Sequence, residues 1–306
     1  MKRFIMNKDQ GWLNVYKPKG ISSFNAVYKI KKKFNLKKIG HGGTLDPLAE
    51  GVLPIAIGKT TKLIPFINKN IKEYEFEIKW CEQTNTDDSE GEIIARSSKI
   101  PSSLEINNQI SKMKGNILQK PPYASAIKIN GKKAYQLLRA KKNFQIKERS
   151  VYLDEVRLLS FQEQTAKFFI RCGKGFYVRS FARDLGEKLA TKAHIFSLKR
   201  IKVGKFEAKN ANLLDDLLNI RQRLFEFKGF HSSSSMLDDI LAYEIDDEKD
   251  ITSISQGKSI KLNIKKLIKT PLNLTDEKII FLTVRKNVLS FGKLSGDLFK
   301  PNKVLL

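Results

Sequence analysis

The chain has 306 residues, 41% of them hydrophobic, with 57 Lys+Arg against 32 Asp+Glu and a formal net charge of +25. That apolar share excludes a disordered chain, and the length fits one large domain or two ordinary ones. The charge excess favours a polyanionic partner, nucleic acid or an anionic membrane face. Cys81 and Cys172 lie far apart with no metal-ligand spacing, which argues against a disulfide scaffold or structural zinc and fits a reducing cytoplasm. No apolar run approaches the ~20 residues of a membrane span, and Met1–Lys8 has no signal-peptide core.

In chain order, Trp12 to Tyr16 reads as a short buried strand. Ser22 or Ser23 can cap a helix with Val27, Ile30 and Phe34 on one face and Lys31, Lys32, Lys33, Lys37 and Lys38 towards the other. Leu53 to Ile57 reads as a strand. Tyr74, Phe76, Ile78 and Trp80 alternate with charged residues, the period of a half-buried strand. Ser102 and Glu105 make a capping-box pattern opening a helix with Leu104, Ile110 and Met113 inward. Val151 to Phe161 and Ala166 to Cys172 are strand-like, and Arg179 to Ala190 reads as a helix with Phe181, Leu185 and Leu189 inward. Strands outnumber helices without βαβ alternation. The expected class is α+β, a mixed, largely antiparallel sheet with flanking helices. Residues 229–236 read as a linker, dividing the chain into 1–228 and a small unit, 237–306.

The most informative stretch is Gly40-His41-Gly42-Gly43-Thr44-Leu45-Asp46-Pro47-Leu48-Ala49-Glu50-Gly51-Val52-Leu53-Pro54. Its glycines permit positive φ and close approach, and Pro47 pushes Asp46 towards an extended conformation. On local chemistry it is a stiff loop presenting a carboxylate beside an imidazole.

That stretch resembles the Gly-His-x-Gly-Thr-Leu-Asp-Pro-x-Ala-x-Gly-Val-Leu-Pro signature of the TruB family of tRNA pseudouridine synthases. Companion motifs follow the family's order: Trp12 to Ser23, Gly58-Lys59-Thr60-Thr61-Lys62, Lys72-Glu73-Tyr74, Lys120 to Lys128, Gly131 to Tyr135, Gly173 to Ser180, and Ala193-His194 with Leu198-Lys199-Arg200. The resemblance implies the pseudouridine synthase fold. For 237–306 it implies a small β-barrel like the PUA RNA-binding module, carried by Ile251 to Lys258, Val288 to Leu294 and the closing strand at Pro301 to Val304.

It also implies an activity: isomerising uridine to pseudouridine in the tRNA T loop, position 55, with base flipping and no cofactor or metal. Asp46 matches the catalytic aspartate, as nucleophile or base. Arg179 matches its partner, in a bidentate pair. Tyr74 matches the residue that stacks on the base, Tyr177 and Leu198 pocket-lining positions, and His41 the side chain that fills the vacated stack. Lys19, Lys62 and Lys128 are expected phosphate contacts, and His194 a structural residue. Where the family often has Thr-Asp-Thr, this chain has Thr84-Asn85-Thr86, which puts a polar role of that position in substrate contact in question. The expected partner is the tRNA T arm, with no membrane and no obligate protein partner, and the expected state is a cytoplasmic monomer. Two other readings use similar machinery: a tRNA-folding chaperone, which would not need both Asp46 and Arg179, and a guide-RNA-dependent relative acting on ribosomal RNA, which would lean on partner-binding extensions. The first motif begins at Trp12, with no long basic tail before it.

Overall fold

The computed structural model describes residues 10–67, 71–237, 240–267 and 278–305. The N-terminal octapeptide lies outside them. The centre is an 11-stranded sheet. Its main path runs Asn212–Leu213, Gly11–Lys17, Glu50–Ile57, Ala193–Val203, Lys72–Trp80, Thr165–Cys172, Arg149–Gln162 and Gly115–Gln119. Along that path only Gly11–Lys17 with Asn212–Leu213 and Ala193–Val203 with Glu50–Ile57 are parallel. The sheet is therefore mixed and largely antiparallel.

The core follows from the alternation. Tyr74, Phe76, Ile78 and Trp80 are buried while the charged residues between them are not. Phe76 stacks on Phe168 of the neighbouring strand at 5.5 Å and meets the edge of Phe181 at 6.0 Å. Phe181 and Leu185 arrive on the helix Val178–Lys188, which packs against Ala193–Val203. Rings in these offset and edge arrangements add to the apolar burial itself.

Two helices show where one-dimensional patterning holds and fails. In Ser23–Lys33 the Ser22 hydroxyl accepts from the Asn25 N–H, and Ala26 and Ile30 are buried. Val27 and Phe34 are half-buried against the same core. In Ser103–Ser111 the capping box forms as expected, but Leu104 is 69% exposed. Ile106, Ile110 and Met113 make the buried stripe at i, i+4 and i+7. Leu104, two residues before Ile106, falls on the far side of the helix.

The second sheet has five strands in the order Leu241–Glu244, Lys278–Val284, Asn287–Ser295, Leu298–Val304 and Ile260–Lys261. Its edge strands are not paired with each other among the described residues. Ile251 to Ser255 is not a barrel strand but the end of a helix, Glu248–Ser255. The Asp247 carboxylate caps that helix, accepting from the Lys249 and Asp250 N–H groups, and Gly257 leaves it at φ +77°.

The segment expected as a linker is fastened at both ends. Phe230–His231 pairs with Gly11–Lys17, and Trp12 Nε1 donates to the Ser233 carbonyl at 2.9 Å. The Ser233 hydroxyl accepts from the Val288 N–H in the second sheet at 2.7 Å. Phe66, from Ile64–Ile67, packs edge-on against Phe281 at 5.1 Å and Phe291 at 4.9 Å, joining the two sheets through one apolar cluster.

Candidate active site

The Asp46 loop leaves Ile39–His41 and enters Glu50–Ile57, strands that pair with each other. Four groups pin it. The buried Ser23 hydroxyl bonds both the N–H and the carbonyl of Leu45 at 2.8 Å. The Gly20 N–H donates to the Pro47 carbonyl at 2.8 Å. Buried Lys17 donates to the Pro18 and Ile21 carbonyls at 2.8 Å and reaches Pro47 at 3.5 Å. Buried Arg200 donates to the carbonyls of Val52 at 2.7 Å, Gly43 at 3.0 Å and Thr44 at 3.4 Å. Two glycines make the fit possible: Gly51 has φ +106°, where a Cβ would lie 2.2 Å from the Arg200 carbonyl oxygen, and a Cβ on Gly42 would lie 2.2 Å from Ile67.

Asp46 meets Arg179, with Oδ2 2.9 Å from Nε. The expected bidentate pair is not what forms. The N–H does not point straight at the oxygen, and the rest of the guanidinium is divided among other acceptors. Nη1 takes the Thr86 carbonyl at 2.9 Å and the Asp88 carboxylate at 3.2 Å, and Nη2 takes the Ala124 carbonyl at 3.1 Å. One turn along the same helix, Arg183 grips Asp87 at 2.6 Å. The two arginines so fix the loop from Thr84 to Gly91. Asp88 is held further by the Thr86 hydroxyl at 2.6 Å and the Glu90 N–H at 3.1 Å.

Burial pushes the Asp46 carboxyl above the usual carboxylate range. The Arg179 charge opposes that shift, Asp88 adds to it and Lys17 opposes it. A third of the Asp46 side chain nevertheless stays open. The carboxylate is thus partly freed from water and still able to meet a ligand.

Tyr74 lies on Lys72–Trp80, in register with Arg200. Burial pushes its phenol up to about 12, with Arg200 opposing. Such a phenol stays protonated at neutral pH: it can donate a hydrogen bond but is a poor base. His41 is held neutral by burial and by the nearby Arg200 charge, and its Nδ1 is buried without a partner among the described residues. Leu198 is buried opposite Phe76. The Gln119 side chain bonds both the N–H and the carbonyl of Tyr177, and the Arg149 guanidinium lies 5.2 Å from the Tyr177 ring centre.

Lys19, expected at a phosphate, adjoins Gly20, whose N–H holds the Asp46 loop at Pro47. Lys19 and Lys128 are exposed. Lys62 reaches the Val304 carbonyl of the second sheet at 3.5 Å, and burial, followed by the charges of Lys303, Lys59 and Lys38, holds its ammonium below the usual range. His194 Nδ1 bonds the Glu82 carbonyl at 2.9 Å, a structural contact. Asn85 Oδ1 accepts from the Glu92 N–H at 3.1 Å, so that side chain serves its own hairpin. Sequence reading does not single out Lys17, Asp88 or Arg200, although Lys17 and Arg200 stand inside the motifs quoted above and Asp88 follows Thr84-Asn85-Thr86 closely.

The fold is shared with solved chains. In a crystal structure of a Cbf5–Nop10–Gar1 complex, the matching chain superposes with a TM-score of 0.74 at 22% identity, covering 98% of this chain and 86% of its own. A chain in an H/ACA RNP bound to a substrate RNA gives 0.72 at 21%, covering 97% and 85%. Sequence sets the class: the profile "TruB family pseudouridylate synthase (N terminal domain)" matches residues 31–178, and "tRNA pseudouridylate synthase B C-terminal domain" matches 179–242. The relatives called tRNA pseudouridine synthase B include proteins of Ehrlichia ruminantium, 42% identical over 96% of this chain and 98% of its own length, and of Bartonella henselae, 37% identical over 96% and 95%. Fold and sequence together define a pseudouridylate synthase. Within that class, the chain belongs to the TruB family. The two profiles meet inside the helix that carries Arg179, so their junction is not a boundary in the fold.

Proposed function

We propose that this chain converts uridine to pseudouridine in the T loop of tRNA, at position 55, with Asp46 as its essential carboxylate. It is a tRNA pseudouridine synthase by its family and its relatives. The single observation that carries the site assignment is the partly open Asp46 carboxylate against a buried arginine at 2.9 Å.

The reaction breaks N1–C1′, turns the uracil, joins C5 to C1′, moves the C5 proton off and protonates N1. Atoms and charge balance without redox change. Three routes use the Asp46 carboxylate: addition at C1′, addition at C6, or removal of the 2′ proton. All three need it ionised, which is the part of Arg179. Tyr74 stacks against the base and donates a hydrogen bond from a phenol that stays protonated. Tyr177 and Leu198 line the pocket. A neutral His41 fills the gap left by the flipped nucleotide, offsetting part of the few kcal/mol that flipping costs. Lys19, Lys62 and Lys128 contact phosphates, individually weak and jointly salt-sensitive. Residues 1–228 do the chemistry, and 237–306 form a PUA-like RNA-binding unit reached through 229–236. The chain works as a cytoplasmic monomer; among the described residues no helix is long and apolar enough to cross a membrane.

The test is an unmodified tRNA transcript incubated with the protein and no added cofactor, mapped by carbodiimide and reverse transcription. The expected result is one stop at the T-loop uridine, absent with Asp46→Asn while tRNA binding stays nearly intact. Turnover by Asp46→Asn removes Asp46 from that role. Tight binding by the unaltered protein with no product makes it a tRNA-remodelling protein instead.

A further inference from the structure

The helix Ser23–Lys33 is tied to the Asp46 loop at both ends. At its start, Ser23 holds Leu45, next to Asp46. After its end, the chain passes through Lys37 and Lys38 into the strand that carries His41. The inner face of this helix is spent on Ala26 and Ile30. Its outer face carries two large aromatic side chains, Phe24 at 71% exposure and Tyr28 at 55%. Their rings lie nearly parallel, 16° apart in plane with centroids 6.3 Å apart.

Isolated exposed apolar residues are ordinary on a protein surface. This pair differs in its surroundings. Lys31 and Lys32 continue the same face at i+3 and i+4 from Tyr28. Lys29, Lys31, Lys32, Lys33, Lys37 and Lys38 are all exposed, the helix has no acidic residue, and none of the six lysines forms an ion pair with a described residue. Adjacent aromatic faces flanked by unneutralised ammonium groups match a chain that offers flat rings and phosphates at short repeat. Single-stranded nucleic acid is bound in that way, by base–aromatic stacking and cations along the backbone. A protein partner would meet the same rings but leave the lysine run uncompensated unless it were strongly acidic.

We propose that Phe24 and Tyr28, with Lys31 and Lys32, form a docking face for the substrate RNA, the rings stacking on an unpaired base other than the target uridine and the lysines meeting flanking phosphates. This rests on the reading of the chain as a tRNA-modifying enzyme. The face is a positioning element. It holds the RNA against the helix that anchors the catalytic loop, and it takes no part in bond making.

The experiment uses the full chain, an unmodified tRNA transcript, equilibrium binding across a salt series and single-turnover product formation at saturating RNA. Phe24→Ala with Tyr28→Ala is expected to weaken RNA binding about tenfold or more, the scale of losing one base stack. The rate at saturating RNA and the slope of log affinity against log salt stay unchanged. Lys31→Gln with Lys32→Gln lowers that slope by about 0.7–0.9 for each phosphate no longer neutralised. Phe24→Tyr with Tyr28→Phe, which keeps both rings, retains affinity. All four altered side chains are exposed, so the melting temperature stays unchanged. Unaltered RNA affinity in the Phe24→Ala, Tyr28→Ala protein overturns the proposal. So does unaltered RNA affinity with loss of a self-associated species, which gives the face to a second copy. Failure of the unaltered protein to form product overturns the activity and not the face, because affinity is read separately.

Discussion

Asp46 sits between opposing influences, and its protonation follows from their sum. Burial raises its pKa while Arg179 lowers it. Activity that needs the carboxylate therefore falls on the acid side at a pH above the ordinary carboxylate range. Replacing Arg179 by Met removes a lowering influence, so the pKa rises further and the acid limb of the single-turnover rate shifts to higher pH; Arg179→Lys, which keeps the charge, shifts it less. A pH profile that does not move in Arg179→Met separates the two residues functionally. At the same scale, Tyr74→Phe keeps the ring and loses the hydroxyl. With the phenol pushed up to about 12, the part of Tyr74 as a base is negligible near neutrality, and the basic limb of the profile is the same in the variant and the parent. A basic limb that disappears in Tyr74→Phe assigns it a proton-transfer role after all.

At the scale of elements, the Asp46 loop depends on a residue from a distant strand. Arg200 reaches Gly43, Thr44 and Val52 across sequence separations of 148 to 157 residues. Arg200→Met leaves those carbonyls without their donor. The expected outcome is a fall in the single-turnover rate of about 10²-fold, the scale of misplacing a reacting group by 1 Å, with RNA affinity little changed. Gly51→Ala strains the same contact from the other side, since a Cβ meets the Arg200 carbonyl and φ is positive. Phe76→Ala opens a cavity among Phe168 and Phe181 and is expected to cost about 3–5 kcal/mol in denaturant unfolding.

These elements also show what is legible in one dimension. The strand at Lys72–Trp80 and the capping box at Ser102 are readable because periodicity and capping are local. Leu104 misleads because nearness to a cap says nothing of a residue's angle around the helix, and the angle decides burial. Asp46 and Arg179 are readable as motif residues; that Arg179 shares its guanidinium with Asp88, Thr86 and Ala124 is not. Asp88 and Arg200 act through long-range contact with another ion pair or with backbone carbonyls, and no local spacing encodes such a contact; Lys17 bonds mainly carbonyls one and four residues on, and what one dimension hides is its burial beneath the Pro47 carbonyl. The helix at Glu248–Ser255 hides in a stretch whose resemblance implies a barrel.

On the scale of the molecule, the two sheets share an apolar cluster with Phe66 wedged between Phe281 and Phe291. They are expected to unfold together. Phe66→Ala removes the edge-on contacts, and calorimetry is expected to resolve a second, lower transition from the 241–304 sheet; one unsplit transition shows that the strap through Ser233 couples the sheets by itself.

The position of the first strand also bears on the birth of the protein. Gly11–Lys17 lies one place in from the edge of the large sheet, bounded on one side by Glu50–Ile57 and on the other by Asn212–Leu213 and Phe230–His231. Trp12 must wait for a carbonyl 221 residues further along the chain. At ~5–20 residues per second of translation, that wait is roughly ten to forty seconds. During it, an apolar strand is already made while the Trp12 end of its outer edge has no partner. A nascent-chain holdase has its natural target there, and synthesis arrested before residue 230 leaves that edge open to pairing with other chains.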